Sequence, residues 1–202
     1  MNNQQTDQLG PVVNMLFEVG MLAKTPRSGF AFLGSGQQSV AEHLHRTAMI
    51  GMTLGLMDGT VDVNKITQMC LIHDITEART SDLNYTHQRY ASVNEPRALE
   101  AMLSQLPFRN HWQILLDEYH KRESLESIFA KEADNLELLL SIKEQSDLGN
   151  PRAQTWYPTM MQRFKTELGK QFAEKILTTR HDAWWFPDTD DRWFVDRVEK
   201  LT

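Results

Sequence analysis

Between Met69 and Asp82 the chain reads MCLIHDITEARTSD, an apolar run that ends abruptly in His73, Asp74 and, one helical turn later, Glu77. Met69, Cys70, Leu71 and Ile72 favour burial, whereas three ionisable groups within the next turn cost free energy unless something pairs with them. A divalent cation is an efficient partner, because imidazole offers a nitrogen and carboxylate an oxygen. Neighbouring side chains point about 100° apart along a helix, and a helix end lets them converge on one ion. Two ligands are too few, so the fold must bring further ones to this place.

Two other stretches can supply them. Ser39-Val40-Ala41-Glu42 has the pattern of a capping box, which predicts a helix over about 39–57 with His43 in its first turn. Along it, Ala41, Leu44, Ala48, Gly51, Met52 and Gly55 make an apolar and small-residue stripe suited to close helix packing. Asp62 is placed to cap the helix that delivers His73. The strongest helical periodicity runs over 124–147, through Leu125, Ile128, Phe129, Ala133, Leu136, Leu140 and Ile142, with Asp134 in mid-helix. Lys131, Glu132 and Glu137 read as the solvated side of that helix. His43, His73, Asp74 and Asp134 then form a mixed nitrogen and oxygen set. It suits an octahedral ion with positions left for water and substrate, whereas a closed structural zinc site more often uses cysteine.

The remaining segments are helical too. Apolar residues from Val12 to Leu22 predict a core helix, and helical spans are expected near 95–106, 110–122, 153–165 and 167–178. The segment AKTPRSGFAFLGSGQQ, with Pro26, Gly29, Gly34 and Gly36, reads as a loop carrying the cations Lys24 and Arg27. No stretch alternates apolar and polar residues between turn signals, so no β-sheet is expected. The reading is an all-α, compact multi-helix bundle forming one domain over 1–202, with its core at about 12–180 and an aromatic tail at 181–202.

Charge and cysteine content narrow the setting. A net charge of −6 argues against a duplex nucleic-acid binder while leaving room for a small phosphorylated ligand held by local Arg and Lys. Cys70 is the only cysteine, which excludes an internal disulfide and suits a reducing compartment such as the cytoplasm. The polar start MNNQQTDQLGP shows no positive n-region or apolar h-region, and no apolar run spans a bilayer, so neither export nor membrane insertion is expected. His45 falls about 200° round the helix from His43 and reads as packing or surface; Cys70 reads as a small apolar filler. The second histidine-aspartate pair, His181-Asp182, reads as a coincidence, and the aromatics Trp184, Trp185, Phe186, Trp193 and Phe194 as core or interface.

The ordered motifs TPRSGF, SVAEH, HDITEARTSDLNY and KEADNLELLL resemble the HD-domain metal-dependent phosphohydrolase superfamily, in particular its 5′-deoxynucleotidase-like branch. The resemblance spans about 16–186. It implies one divalent metal ion (Co²⁺, Mn²⁺, Fe²⁺, Ni²⁺, Mg²⁺ or Zn²⁺) on His43, His73, Asp74 and Asp134. It also implies Asp74 and Glu77 as the catalytic acids, Arg27 and Asp82 on the substrate, with Lys24 or Arg79 assisting at phosphate. The implied reaction is hydrolysis of a deoxyribonucleoside 5′-monophosphate through a metal-bound water, in a homodimer or higher homo-oligomer. A cyclic or polyphosphorylated nucleotide, or nucleotide sensing without turnover, are the alternatives. Two positions depart from the family pattern: Ser81 stands where Gly often precedes the aspartate, and Ser28 where some members carry Trp after the arginine.

Overall fold

The computed structural model describes residues 8–185. Twelve helices follow in order among them: α1 Leu9–Val19, continued by the 3₁₀ turn Gly20–Ala23, α2 Gly29–Leu33, α3 Val40–Asp58, α4 Val63–Ile72, α5 Glu77–Thr80, α6 Tyr85–Gln88, α7 Glu95–Leu103, α8 Arg109–Lys121, α9 Leu125–Asp147, α10 Pro151–Gln154, α11 Tyr157–Met161 and α12 Glu167–Thr178. No strand occurs among the described residues, as expected; a lone antiparallel bridge joins Pro26 to Ser39. None of the described helices is long and apolar enough to cross a membrane.

The long α9 is the axis of the fold and packs against α3, α4 and α12. Its buried side chains Phe129, Ala130, Ala133, Leu136, Leu139 and Ile142 follow the helical period that the sequence predicts. Helices α3 and α4 meet so closely that a Cβ on Gly51 would lie 2.6 Å from Cys70 Sγ. Cys70 is therefore the apolar filler expected of it, fully buried against α3. The capping box closes as predicted: Ser39 accepts from Glu42 N–H and the Glu42 carboxylate accepts from Ser39 N–H. Asp62 caps α4 by accepting from Lys65 N–H.

Several expectations need correction. The span 153–165 divides into α10 and α11, with Pro158 at the start of the second. Loop 23–38 contains the short α2, and the polar stretch after Asp82 contains α6. Helix α1 is not wholly core: Met15 is buried, whereas Leu16 and Phe17 stand 60% and 77% exposed, on the face turned away from the bundle. Glu132 and Glu137 are not solvated at all, being 1% and 0% exposed. Glu132 accepts from the backbone N–H groups of Lys165 and Thr166 and from the Thr166 hydroxyl, which locks the start of α12 onto α9. Trp184 and Trp185 lie near each other with their rings 6.5 Å apart; Phe186, Trp193 and Phe194 fall outside the described residues.

Ser81 ends α5 with φ 61° and ψ 164°, a conformation that glycine adopts freely and other residues only under strain. The turn it makes sends Asp82 back to accept from Ser28 N–H at 2.7 Å. Ser81→Gly relieves that strain and is expected to stabilise the fold by about 1 kcal/mol, net of the greater freedom of glycine in the unfolded chain. A higher urea midpoint at unchanged slope checks it; a lower one counts against it.

Candidate active site

Three elements bring the predicted ligands together. His43 comes from the capped first turn of α3, His73 and Asp74 from the end of α4, and Asp134 from the middle of α9. The Nε2 atoms of the two imidazoles are 3.4 Å apart. Asp74 Oδ2 lies 3.3 Å from His73 Nε2 and 3.7 Å from His43 Nε2, and Asp134 Oδ1 lies 4.0 and 3.4 Å from the same two atoms. Bonds of about 2.1 Å to one ion place ligand atoms roughly 3.0–4.2 Å from one another, and all five separations fall in that window.

The other face of each ring fixes its role. His43 Nδ1 is 2.6 Å from Glu137 Oε2, and His73 Nδ1 is 3.0 Å from the carbonyl oxygen of Cys70. Both partners are acceptors, so both rings donate from Nδ1 and turn the Nε2 lone pairs toward each other and toward two carboxylates. Four acceptors facing one point repel unless a positive charge stands between them, so the donor set fits a divalent metal ion. In the ion-free protein a proton on His43 takes the place of that positive charge. Burial disfavours a charged His43, yet its pairing with Asp134 and Glu137 lifts its pKa to about 9. His73, wholly buried and beside His43, shifts the other way and stays neutral. Burial opposes the charge of Asp134 as well, but Lys131 and the two imidazoles hold it well below the usual carboxylate range.

From this cluster opens a cleft of about 280 Å³. Arg27, Glu77, Asp82 and Lys131 stand at its charged end; Phe30, Leu33, Leu138 and Trp156 give it an apolar wall, and Asn84, Tyr85, Gln88 and Arg163 line it as well. Arg27 Nη1 lies 3.2 Å from Asp74 Oδ2 and 3.9 Å from Asp82 Oδ1, which keeps its guanidinium charged although burial works against it. Lys131 Nζ takes the second oxygen of Asp134 at 2.5 Å. Lys24 and Arg79, expected near phosphate, do not line the cleft: Lys24 is exposed at the end of the 3₁₀ turn, and Arg79 forms an ion pair with Glu18. His45 is exposed, and His181 and Asp182 bond Asp147 and Arg180 away from the cleft, both as expected.

Glu77 has one buried oxygen without a hydrogen-bond partner. Burial, then the charges of Asp74 and Asp82, push its pKa up to about 9 against an ordinary 4.5. An acid raised in this way stabilises the fold fully below its ordinary value and loses that contribution as pH rises through about 9. In ion-free protein, Glu77→Gln is therefore expected to gain about 1–3 kcal/mol over wild type at pH 8 and almost nothing at pH 4. Thermal melts in chelator at both pH values measure the difference; equal gains at both would refute it.

Sequence reasoning missed four members of this site. Glu137 orients His43, Arg46 donates to Glu137 from the other side, Lys131 steadies Asp134, and Trp156 reaches to 3.9 Å from where a Cβ on Gly29 would stand. The signal for Glu137 was its place one turn after Asp134, between Leu136 and Leu138.

The sequence profile of the HD domain family matches residues 19–176. The chain belongs to the HD domain family. Among its relatives in that family, the mouse 5′-deoxynucleotidase HDDC2 is 26% identical over 171 residues, covering 81% of this chain and 85% of its own. The zebrafish 5′-deoxynucleotidase HDDC2 is 29% identical over 140 residues, 66% of this chain and 69% of its own. A conserved hypothetical protein of Pyrococcus furiosus superposes with a TM-score of 0.70 at 25% identity, over 83% of this HD domain chain and 99% of the other.

Proposed function

We propose that this HD domain protein is a metal-dependent phosphohydrolase that cleaves deoxyribonucleoside 5′-monophosphates to nucleoside and phosphate. The observation that carries the reading is the convergence of His43, His73, Asp74 and Asp134 at one end of a cleft that also presents Arg27 and Glu77. The deoxynucleotide enters from the 5′-deoxynucleotidases it resembles along most of its length. A divalent cation, when bound, polarises phosphoryl oxygens and lowers the pKa of coordinated water.

The protein's own groups supply the rest. Arg27, fixed by Asp74 and Asp82, and Lys131 offset the negative charge of the phosphate and of the transition state. With a cation bound to offset the charges of Asp74 and Asp82, an ionised Glu77 would take a proton from the attacking water and pass it to the departing sugar oxygen. Ser28 and Arg27 hold Asp82 at the mouth of the cleft, where its carboxylate accepts from a sugar hydroxyl. The exposed apolar residues of α1, Leu9, Val13, Leu16 and Phe17, suit the homo-oligomer that the family resemblance implies.

The test is to offer the metal-replete protein 5′-deoxynucleotides, 5′-ribonucleotides, 3′-nucleotides, cyclic nucleotides and nucleoside triphosphates, and to measure each product. Free phosphate from 5′-deoxynucleotides at the highest kcat/KM is expected. Turnover confined to cyclic or triphosphate substrates, or binding without turnover, refutes the proposal.

A further inference from the structure

Asn135 is 4% exposed and lines the cleft, yet its carboxamide makes no hydrogen bond to another described residue. The residue is nearly enclosed, and with no protein partner its amide is left to water or to a bound molecule for its hydrogen bonds. Here the open side is the cleft, so the partner is sought in its occupant.

The helix itself says which part of the occupant that is. Lys131, Asp134, Asn135, Leu138 and Ile142 line the cleft from one face of α9. With a rise of about 1.5 Å per residue, Asn135 stands about 1.5 Å beyond Asp134, Leu138 about 6 Å and Ile142 about 12 Å. A molecule lying along α9 meets first the ligand cluster, then a carboxamide, then aliphatic side chains facing Trp156 and Phe30. A nucleotide has phosphate, pentose and base in that order. Its phosphate charge is met by Arg27 and Lys131, and its base needs only the apolar and aromatic wall. The pentose, with oxygens that accept and hydroxyls that donate, is the part that matches a group able to do both.

We propose that Asn135 is a substrate-binding residue that hydrogen-bonds the pentose of the nucleotide; the proposal rests on the nucleotidase reading. It carries a corollary that a structural role for Asn135 does not. Because the amide bonds nothing in the free protein, an apolar side chain of the same size costs the fold nothing.

The experiment compares full-length, metal-loaded wild type with Asn135→Leu and Asn135→Ala. Binding of 2′-deoxyadenosine and of inorganic phosphate is measured by calorimetry, turnover of dAMP alongside, and melting temperature in chelator. The expected result is a Kd for deoxyadenosine raised about 10- to 100-fold, phosphate affinity within about twofold of wild type, and a melting temperature of the Leu variant equal to or above that of wild type. Unchanged deoxyadenosine binding overturns the proposal, as does an equal loss for phosphate or a lower melting temperature in the Leu variant. Wild type that fails to hydrolyse dAMP sinks the nucleotidase reading and this proposal with it. Wild-type turnover with unaltered variants sinks this proposal alone.

Discussion

Asp74→Ala is expected to lower turnover of a 5′-deoxynucleotide by at least about a thousandfold and to leave the purified protein without its ion. The carboxylate removed lies 3.3 and 3.7 Å from the two imidazole nitrogens, so its loss takes a charged ligand from the centre of the cluster. Arg27 loses its closer anchor in the same change, at 3.2 Å. Losing the polarising charge alone forfeits several kcal/mol of transition-state stabilisation, and about 4 kcal/mol already corresponds to a thousandfold. The fold itself should not suffer, since Asp74 is one of the like charges that crowd the site and raise the Glu77 pKa. Elemental analysis, kcat and melting temperature together check this. His45→Ala is the control, because that ring is exposed on the same helix two residues from His43. A variant that keeps one ion per chain and works within tenfold of wild type would remove Asp74 from the ligand set.

The convergence of His43, His73, Asp74 and Asp134, the proposed ligand set, was anticipated because each residue stands out locally. His43 follows a capping box, His73 and Asp74 end an apolar run, and Asp134 interrupts a strict helical period; only their meeting needed the fold. The side chains that hold those ligands were harder to see. Glu137 looks like any surface acid until α3 is laid against α9, which places His43 Nδ1 at 2.6 Å from it and Arg46 Nε at 2.8 Å. Glu132 is buried for a different reason, as the anchor of a chain segment 33 to 34 residues later. Charged residues on a helix read as solvated unless a distant partner is known, and distance along the chain hides the partner. The same limit misplaced the cations. Arg79 lies near the motif in sequence, but Glu18 of α1 draws it outward, whereas Arg27 comes from a distant loop pinned by Arg27 N–H to Gln38 and Val40 N–H to Thr25.

Glu137→Gln is expected to weaken metal binding about 10- to 100-fold and to destabilise the ion-free protein by about 2–4 kcal/mol at pH 7. Glu137 is completely buried and accepts from His43 Nδ1, Gln38 Nε2, Arg46 and Ser141 Oγ. Burial alone would raise its pKa, but His43 and Arg46 outweigh that and hold it down at about 2. An amide keeps the shape and one acceptor, yet it removes the charge that faces Arg46 and that makes the His43 ring a strong donor at Nδ1 and a better ligand at Nε2. The sign of the pH dependence follows from the lowered pKa: the contribution is present above the ordinary carboxylate value near 4.5 and disappears as pH falls through about 2. Wild type should therefore lose about 3 kcal/mol across that interval from this group, while the Gln variant lacks that component of the slope. Denaturant titrations between pH 7 and pH 2.5, with metal affinity measured at pH 7, test both halves. If the two proteins keep parallel acid profiles and bind the ion within threefold of each other, Glu137 neither carries its charge in the fold nor orients the imidazole.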